Sequence, residues 1–331
     1  MSAEHPPTSA QSGYIVEAPA RLHMGFLDMG GSLGRKFGSI GIGINEIATQ
    51  VSIRRSEQLE VTGEDAGRAE RAALDIAHAL GRALPARIHV DRAIPHHAGL
   101  GSGTQMALAV GTALAKLHGL KLTTADFAGI IGRGARSGIG IAVFDQGGLV
   151  LDAGRGSDTR VPPVISRLSL PADWRFLIVL DQEETGLHGP GETLAFSELP
   201  EFPAAEAARL CHLLLMRGLP AVMEDNIEAF GSVITDLQCS VGDHFAPAQG
   251  GRFTSPRVRD AMEFLAARGG VGIGQSSWGP TGFCLVNSPD RAQNLSSALQ
   301  AAVGPHSALR CLVATPRLSG ATIREIPADL A

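Results

Sequence analysis

The hydrophobic positions in the first half of the chain follow two periods. Alternating apolar residues predict strands, and apolar residues that recur every three or four positions predict helices. A Thr/Asp pair typical of an N-cap also marks the start of one helix at Thr123. The predicted strands cover residues 14–19, 49–54, 86–90 and 147–152, and the predicted helices cover residues 65–82, 104–118 and 123–134.

The second half of the chain follows a proline pair, Pro162 and Pro163, which marks the predicted domain boundary. The mixed elements beyond it predict a second α+β layer. Its strands are expected near residue 167 and over 176–180, and its helices near 205–217, 220–237 and 258–267. We therefore divide the chain into a disordered tail (1–12), an N-terminal domain (13–163) and a C-terminal domain (164–331).

Composition narrows the class of protein. A chain of 331 residues, 44% of them hydrophobic, can bury a full core. A net charge of −5 with 5% aromatic residues offers no surface suited to nucleic acid, and no apolar run approaches the roughly 18 residues of a membrane span. The cysteines are dispersed, without the clustering of a structural zinc site. We expect a cytoplasmic protein that acts on a small molecule.

Two glycine-rich segments interrupt the predicted elements. Residues 25–43 contain seven glycines and predict a lid or a wall around a ligand. Residues 94–105 lie between a predicted strand and a predicted helix, so their amides and the helix dipole would face one phosphate. The alternative is a tight structural turn with a Ser/Thr cap. The predicted phosphate-binding residues are His97, Gly99, Leu100, Gly101, Ser102, Gly103, Thr104 and Gln105.

Three motifs in order along the chain resemble those of the GHMP kinases. They are Ala-Pro-Ala-Arg-Leu-His at residues 18–23, the loop at residues 94–105, and Gly-Gln-Ser-Ser-Trp-Gly-Pro-Thr-Gly at residues 274–282. The resemblance covers residues 14–318. It implies an α+β GHMP kinase fold, with an N-terminal domain like domain 2 of ribosomal protein S5, a C-terminal ferredoxin-like domain, and the site between them.

Three positions depart from the kinase pattern. The chain has Arg21 where the kinases usually have lysine, Gly103 where they have a serine that helps to hold magnesium, and Gly140 where they have a catalytic aspartate. It is more similar to the β-ribofuranosylaminobenzene 5′-phosphate synthases, a branch of the same superfamily, over residues 27–35, 99–105, 132–140 and 276–281.

That resemblance implies an enzyme that joins phosphoribosyl pyrophosphate to 4-aminobenzoate or 4-hydroxybenzoate. Pyrophosphate and carbon dioxide leave, in an early step of tetrahydromethanopterin biosynthesis. No hydroxyl has to lose a proton in this reaction, so the kinase aspartate has no task. The site must instead neutralise the leaving pyrophosphate and align two substrates.

The N-terminal motif supplies most of the predicted catalytic residues. Arg21 and Arg35 suit bidentate phosphate contacts, with surface salt bridges as the alternative. His23 would share a strand face with Arg21 and donate to phosphate or to the arene carboxylate, unless it is a structural histidine. Asp28 is the candidate ligand for Mg²⁺, the expected cofactor, and a turn-forming aspartate is the alternative.

The other candidates lie on three later segments. Arg136, catalytic in our prediction, and Ser137 and Gly138 lie on a turn that the GHMP layout places opposite the phosphate loop. His188 and Glu192 lie in a segment that either covers the substrate or is a plain surface connection. The third motif offers polar donors and an indole that would either stack on the arene or belong to the core. Its candidates are Gln275, Ser276, Ser277, Trp278 and Thr281.

The resemblance also implies a homodimer. Three other functions are considered. They are an ATP-dependent small-molecule kinase, which Gly103 and Gly140 argue against, a non-catalytic phosphosugar-binding module, and a decarboxylase of the mevalonate diphosphate type, which Gly140 also argues against. Amino and hydroxyl groups both push electrons into the ring, so the sequence does not select between the two benzoates.

Overall fold

A computed structural model of the chain describes residues 12–186, 189 and 198–327. The predicted tail falls outside these residues apart from Ser12, and so do His188 and Glu192. No helix in the described part of the chain is long and apolar enough to cross a membrane.

The first sheet is built on a long antiparallel hairpin of β1 (Gly13–Asp28) and β2 (Phe37–Arg54). Its other strands are β3 (Glu60–Gly63), β4 (Arg87–Arg92), β5 (Leu149–Asp152), β6 (Val164–Leu168) and β11 (Thr322–Ile326). The strand order is β11-β1-β2-β4-β3, and β5 pairs with both β2 and β6.

The lid predicted over residues 25–43 is wrong, because most of that segment is strand and only residues 29–36 connect β1 to β2. Its glycines allow close packing instead. A Cβ at Gly41 would lie 2.5 Å from the carbonyl oxygen of Leu22 and 2.7 Å from the side chain of Ile139. Close approach of neighbouring backbone is a common reason for glycine within a strand.

Helices α1 (Ala66–Ala79), α2 (Ser102–His118) and α4 (Ile139–Asp145) lie against the first sheet, and α3 (Thr124–Ile130) packs on these three helices. The cap predicted at Thr123 is confirmed, since its side chain accepts from the Asp126 amide in a capping box. Helix α3 is shorter than predicted because the left-handed backbone of Gly132 and Gly134 (φ 65° and 79°) ends the helical path.

The second sheet is fully antiparallel, with the order β10-β7-β9-β8. Its strands are β7 (Arg175–Asp181), β8 (Val271–Gln275), β9 (Thr281–Val286) and β10 (Leu309–Ala314). Helical segments follow at α5 (Ala204–Leu213), a π-helical turn (Leu214–Gly218), α6 (Leu219–Met223), α7 (Ile227–Gln249), α8 (Pro256–Ala266) and α9 (Pro289–Val303).

Alternate residues of β7 enter two different cores. Phe176 and Ile178 pack with α7 and the first sheet, whereas Leu177 and Val179 pack with α8 and α9. The first of these cores is continuous with Leu22 of β1. The two sheets are therefore joined through shared apolar packing.

The boundary predicted at Pro162 and Pro163 falls within the first sheet. Strand β6 begins one residue later, at Val164, and pairs with β5. At the other end of the chain, β11 returns to pair with β1. The first unit therefore continues beyond the prolines, because β6 and β11 pair with its strands. A local proline signal does not report such pairing.

Candidate active site

The glycine-rich loop joins β4 to α2 and presents the N-terminus of that helix. Helix α2 begins at Ser102, two residues earlier than predicted, so Ser102, Gly103 and Thr104 form its first turn. Gly101, at the N-cap with φ 84°, makes no side-chain cap. The first-turn amides therefore have no capping oxygen from this residue, and an anion placed there would accept from them.

A cavity of about 330 Å³ surrounds this helix end. Three arginines from separate parts of the chain reach it: Arg21 of β1, Arg68 of α1 and Arg133 of the loop after α3. We call it the phosphate cavity. Its other lining residues are His97, Gly99, Gly101, Ser102, Gly103, Thr104, Gly189, Ser277, Trp278 and Gly279.

Gly103 makes room for two of the arginines. A Cβ at this position would lie 3.0 Å from Nη2 of Arg68 and 3.0 Å from Nη2 of Arg133. A serine at residue 103 would therefore press on both guanidinium groups. The glycine at this position, where the kinases have serine, therefore leaves room for two positively charged groups beside the loop.

Arg68 is fixed by a small polar network beside the loop. Its Nη1 lies 3.1 Å from Asp65 Oδ2 and 2.7 Å from His96 Nδ1, and 3.5 Å from Ser102 Oγ. His96 Nε2 in turn lies 2.9 Å from Asp65 Oδ2. Of the two loop histidines, His96 belongs to this network, whereas His97 lines the cavity.

Arg21 lies against the loop from the strand side. Its backbone amide donates to the Leu100 carbonyl at 3.1 Å, and its guanidinium donates to the Gly99 carbonyl. A side chain at Gly101 would meet the Arg21 guanidinium at 3.3 to 3.4 Å. Leu100 itself is 1% exposed, so only its backbone takes part in the site.

His23 does not join Arg21 in the phosphate cavity. The pairing of β1 with β2 is regular over residues 21–23, so the two side chains leave the same face of the strand, two positions apart. His23 instead lines a smaller adjoining cavity with Phe26 and Phe245. Burial, with the nearby charge of Arg21, lowers the pKa of His23 to about 3, so the ring is neutral.

The third motif fastens the second sheet to the phosphate loop. The hydroxyl of Ser276 accepts from the His23 amide at 3.0 Å and donates to the Gly99 carbonyl at 2.8 Å. A Cβ at Gly279 would lie 2.1 Å from the amide nitrogen of Gly99, so the two backbones are in direct contact. The motif therefore acts first as a clamp between the two sheets.

The other residues of this motif have different surroundings. Trp278 is 4% exposed, packs on Phe245 with ring centroids 4.2 Å apart, and lies in the wall between the two cavities. Ser277 borders both cavities too. Gln275 accepts from the Thr254 amide at 2.6 Å and lines the smaller cavity. Thr281 is fully buried in β9.

Asp28 lies at the far end of β1. It is seven residues beyond Arg21, roughly 20 Å away at the rise of a strand. Its Oδ1 accepts from the Gly31 amide at 2.7 Å, which is the arrangement of a turn-forming aspartate. The structure therefore separates Asp28 from the phosphate cavity, where it was expected to hold magnesium.

Arg35 also binds backbone in this region. Its guanidinium donates to the carbonyls of Ala153 and Gly154 at 3.0 and 2.7 Å, and so fastens the β1–β2 connection to the end of β5.

Asp152, which the sequence pattern marked only as the end of a strand, organises the loop before α4. Its Oδ2 accepts from Ser39 Oγ at 2.5 Å, from the Gly138 amide at 2.9 Å and from Ser137 Oγ at 3.4 Å. Ser137 and Gly138 are thus held by a buried carboxylate, and Arg136 is the half-buried residue before them.

Gln105, predicted in the phosphate loop, is fully buried in α2. Its Nε2 donates to the Gly140 carbonyl at 2.8 Å, at the position where the kinases have their aspartate.

Arg68 and Arg133 are the functional candidates that the sequence analysis missed. Arg68 lies in the first turn of α1, which contains no acidic residue. Because the positive end of the helix dipole disfavours a cation there, a basic residue in that turn was the available signal. Arg133 lies in the segment that resembles the synthases, but nothing in the local pattern distinguishes it from its neighbour Arg136.

The donor set of the phosphate cavity does not fit a magnesium ion held by protein carboxylates. The described residues that line it contribute guanidinium, imidazole, hydroxyl and backbone groups, and no carboxylate. No group of three or more His, Cys, Asp or Glu side chains is arranged to hold a metal within residues 12–186, 189 and 198–327. Carboxylate ligands are what magnesium sites usually contain.

Comparison with known proteins places this geometry in a family. Residues 68–148 match the GHMP kinases N terminal domain, and residues 219–306 match the GHMP kinases C terminal family. The chain is 32% identical to a beta-ribofuranosylphenol 5'-phosphate synthase of Methanothermobacter thermautotrophicus, over 88% of this chain and 93% of the relative. It is 35% identical to one of Archaeoglobus fulgidus, over 82% and 88%.

Solved structures show the same fold. A homoserine kinase from Cytophaga hutchinsonii superposes with a TM-score of 0.68 at 18% identity, covering 98% of this chain and 100% of the other. A mevalonate diphosphate decarboxylase from Staphylococcus aureus gives a TM-score of 0.66 at 15% identity, covering 95% and 98%. The predicted α+β GHMP kinase fold is confirmed.

Proposed function

Since the chain belongs to the beta-ribofuranosylphenol 5'-phosphate synthase family of the GHMP kinase superfamily, we propose that it joins phosphoribosyl pyrophosphate to a para-substituted benzoate. The acceptor is 4-hydroxybenzoate or 4-aminobenzoate, and pyrophosphate and carbon dioxide are released. The relatives' name combines a ribofuranosyl 5'-phosphate with a phenol, which supports 4-hydroxybenzoate as the first acceptor to test. The product would enter tetrahydromethanopterin biosynthesis.

The phosphate cavity is the observation that carries this proposal. Arg21, Arg68 and Arg133 bring three positive charges to the N-terminus of α2. The developing charge on a leaving pyrophosphate is what such a site stabilises, and one well-placed donor contributes roughly 3 to 4 kcal/mol to a transition state. Planar guanidinium groups also fix the orientation of phosphate oxygens through paired hydrogen bonds.

The proposed reaction needs charge neutralisation and alignment, and it needs no general base. The bond between ribose C1 and pyrophosphate breaks, and its electron pair leaves with the pyrophosphate. The ring carbon that bears the carboxylate attacks C1 and forms a carbon–carbon bond. The bond to the carboxylate then breaks, its electrons restore the aromatic ring, and carbon dioxide leaves. This balance is consistent with Gly140 at the position of the kinase aspartate.

Magnesium, if it takes part, would arrive on the pyrophosphate oxygens. Ser102 and Thr104 are the hydroxyl groups of the described cavity lining that would approach such a complex. The arginines would share the neutralisation of the pyrophosphate charge with that ion.

The test measures pyrophosphate release from phosphoribosyl pyrophosphate with and without each acceptor, and ADP formation from ATP in parallel. We expect acceptor-dependent pyrophosphate and no ADP above the protein-free control. Arg133→Ala should lower kcat/KM for phosphoribosyl pyrophosphate about tenfold or more. Arg87→Ala, which removes an exposed arginine paired with Glu60, is the control and should leave it unchanged. ADP formation without pyrophosphate release would favour the kinase alternative.

A further inference from the structure

The smaller cavity beside the phosphate cavity is lined by apolar and polar side chains, and a buried imidazole nitrogen lies in its wall. It shares Ser277 and Trp278 with the phosphate cavity, and its volume is about 20 Å³. A space of this size holds about one water molecule. A hydroxyl or amino substituent is of the same size. The lining residues that matter here are His23, Phe26, Phe245, Ser277 and Trp278.

The polar nitrogen is Nε2 of His23. The ring is 4% exposed and lies against Phe26, with centroids 4.5 Å apart. Nε2 is fully buried and has no hydrogen-bond partner among the residues that the structure describes. Since proteins rarely leave a buried polar atom unsatisfied, such an atom in a cavity wall calls for an explanation.

The protonation state of the ring defines what Nε2 can bind. The imidazole is neutral at physiological pH, because burial lowers its pKa to about 3. The ring also forms a hydrogen bond with the backbone of His23 itself, and the carbonyl there requires a donor, which places the proton on Nδ1. Nε2 is therefore an acceptor, and its missing partner is a neutral hydrogen-bond donor.

We propose that His23 Nε2 accepts a hydrogen bond from the hydroxyl or amino group para to the carboxylate of the acceptor arene. The inference rests on the proposed function and adds the determinant of acceptor choice. The substituent would fill the small cavity, and the ring would lie beside Ser277 and Trp278, which border both cavities. The carboxylate end would then point towards the phosphate cavity, where ribose C1 is expected.

This contact also assists the reaction. When a para hydroxyl donates to a neutral nitrogen, electron density on its oxygen increases and is passed to the ring carbon that attacks. No proton needs to be transferred fully. A protonated imidazole carries hydrogen on both ring nitrogens, so its Nε2 could not accept this bond. A histidine that burial keeps neutral therefore suits the task.

The test compares acceptors that differ only in the para group. 4-Hydroxybenzoate donates a hydrogen bond, whereas 4-methoxybenzoate pushes electrons into the ring similarly but has no hydrogen to donate. We expect the wild-type enzyme to prefer 4-hydroxybenzoate in kcat/KM by about tenfold or more. His23→Leu should lower kcat/KM for 4-hydroxybenzoate by about tenfold to a hundredfold, leave the KM for phosphoribosyl pyrophosphate within twofold, and bring the ratio of the two acceptors close to one.

Two further variants keep the test decisive. His23→Gln retains an acceptor oxygen and should restore part of the preference, which a purely structural role would not do. His118 offers a matched control, since its Nε2 is also buried without a partner among the described residues but lies at the other end of α2. His118→Leu should leave the acceptor ratio unchanged.

The outcomes separate this inference from the proposed function. A wild-type preference that persists in His23→Leu would come from the bulk of the methoxy group. It would overturn this inference and leave the proposed function standing. Equal use of both acceptors by the wild type would do the same. If the wild type forms no product with 4-hydroxybenzoate or 4-aminobenzoate, the proposed function fails and the inference fails with it.

Discussion

Ser276→Ala is the perturbation whose effect follows most directly from the structure. The hydroxyl of Ser276 is fully buried and joins the His23 amide to the Gly99 carbonyl. Its removal leaves the buried His23 amide without an acceptor, which costs about 1 to 3 kcal/mol. The Gly99 carbonyl keeps its bond from Arg21, so we add only about 1 kcal/mol for it. The expected loss in the free energy of unfolding is about 2 to 4 kcal/mol.

Urea unfolding followed by tryptophan fluorescence measures this loss. The chain has two tryptophans, and one of them, Trp278, lies two residues from the substitution. At an m value of about 3 kcal/mol/M, the midpoint should fall by roughly 0.7 to 1.3 M. The KM for phosphoribosyl pyrophosphate should also rise, because the loop loses a bond that positions it.

Ser56→Ala provides the control for Ser276→Ala. It deletes a hydroxyl that donates to Glu60 near the surface, and it should change stability by less than about 0.5 kcal/mol. If Ser276→Ala destabilises the protein no more than this control does, the third motif is not a clamp and the reasoning fails.

Three other predictions test separate parts of the site. Gly103→Ser should displace two guanidinium groups and so weaken pyrophosphate binding about tenfold in calorimetric titration. Gly67→Ala, at a position with open space, is the control and should not weaken it. Equal binding by both variants would contradict this prediction. Asp28→Asn keeps the oxygen that accepts from Gly31, so activity and its magnesium dependence should stay within twofold; a large loss would return Asp28 to the site. The pKa of His23 is lowered to about 3 in the folded state, so the unfolded chain takes up the proton first as the pH falls. The free energy of unfolding should therefore fall by at most about 1.4 kcal/mol per pH unit between about pH 6.5 and pH 3. An equal slope in His23→Leu would show that His23 is not the titrating group.

The phosphate loop could be predicted from sequence because its signal is local. Glycines between a strand and a helix, followed by Ser102, report both the backbone path and the position of the helix N-terminus. The turn at Asp28 was also present in the sequence as an alternative, since an aspartate followed by glycines favours a bond to its own backbone.

The arginines around the loop could not be predicted in the same way. Arg68 and Arg133 reach Gly103 from two segments that only the packing of α1 and α3 against α2 brings together. His23 was placed on the same strand face as Arg21, but the sequence could not show that Trp278 and Ser277 divide the space above that face into two cavities. Neither effect leaves a mark in the hydrophobic pattern.

In the proposed reaction, a bond from the ring carbon to ribose C1 replaces the bond from that carbon to the carboxylate. The measurement that tests it most directly uses carboxyl-labelled 4-hydroxybenzoate with phosphoribosyl pyrophosphate and counts labelled carbon dioxide against pyrophosphate. We predict one labelled carbon dioxide for each pyrophosphate released. Pyrophosphate release with all of the label retained on the arene would contradict the account.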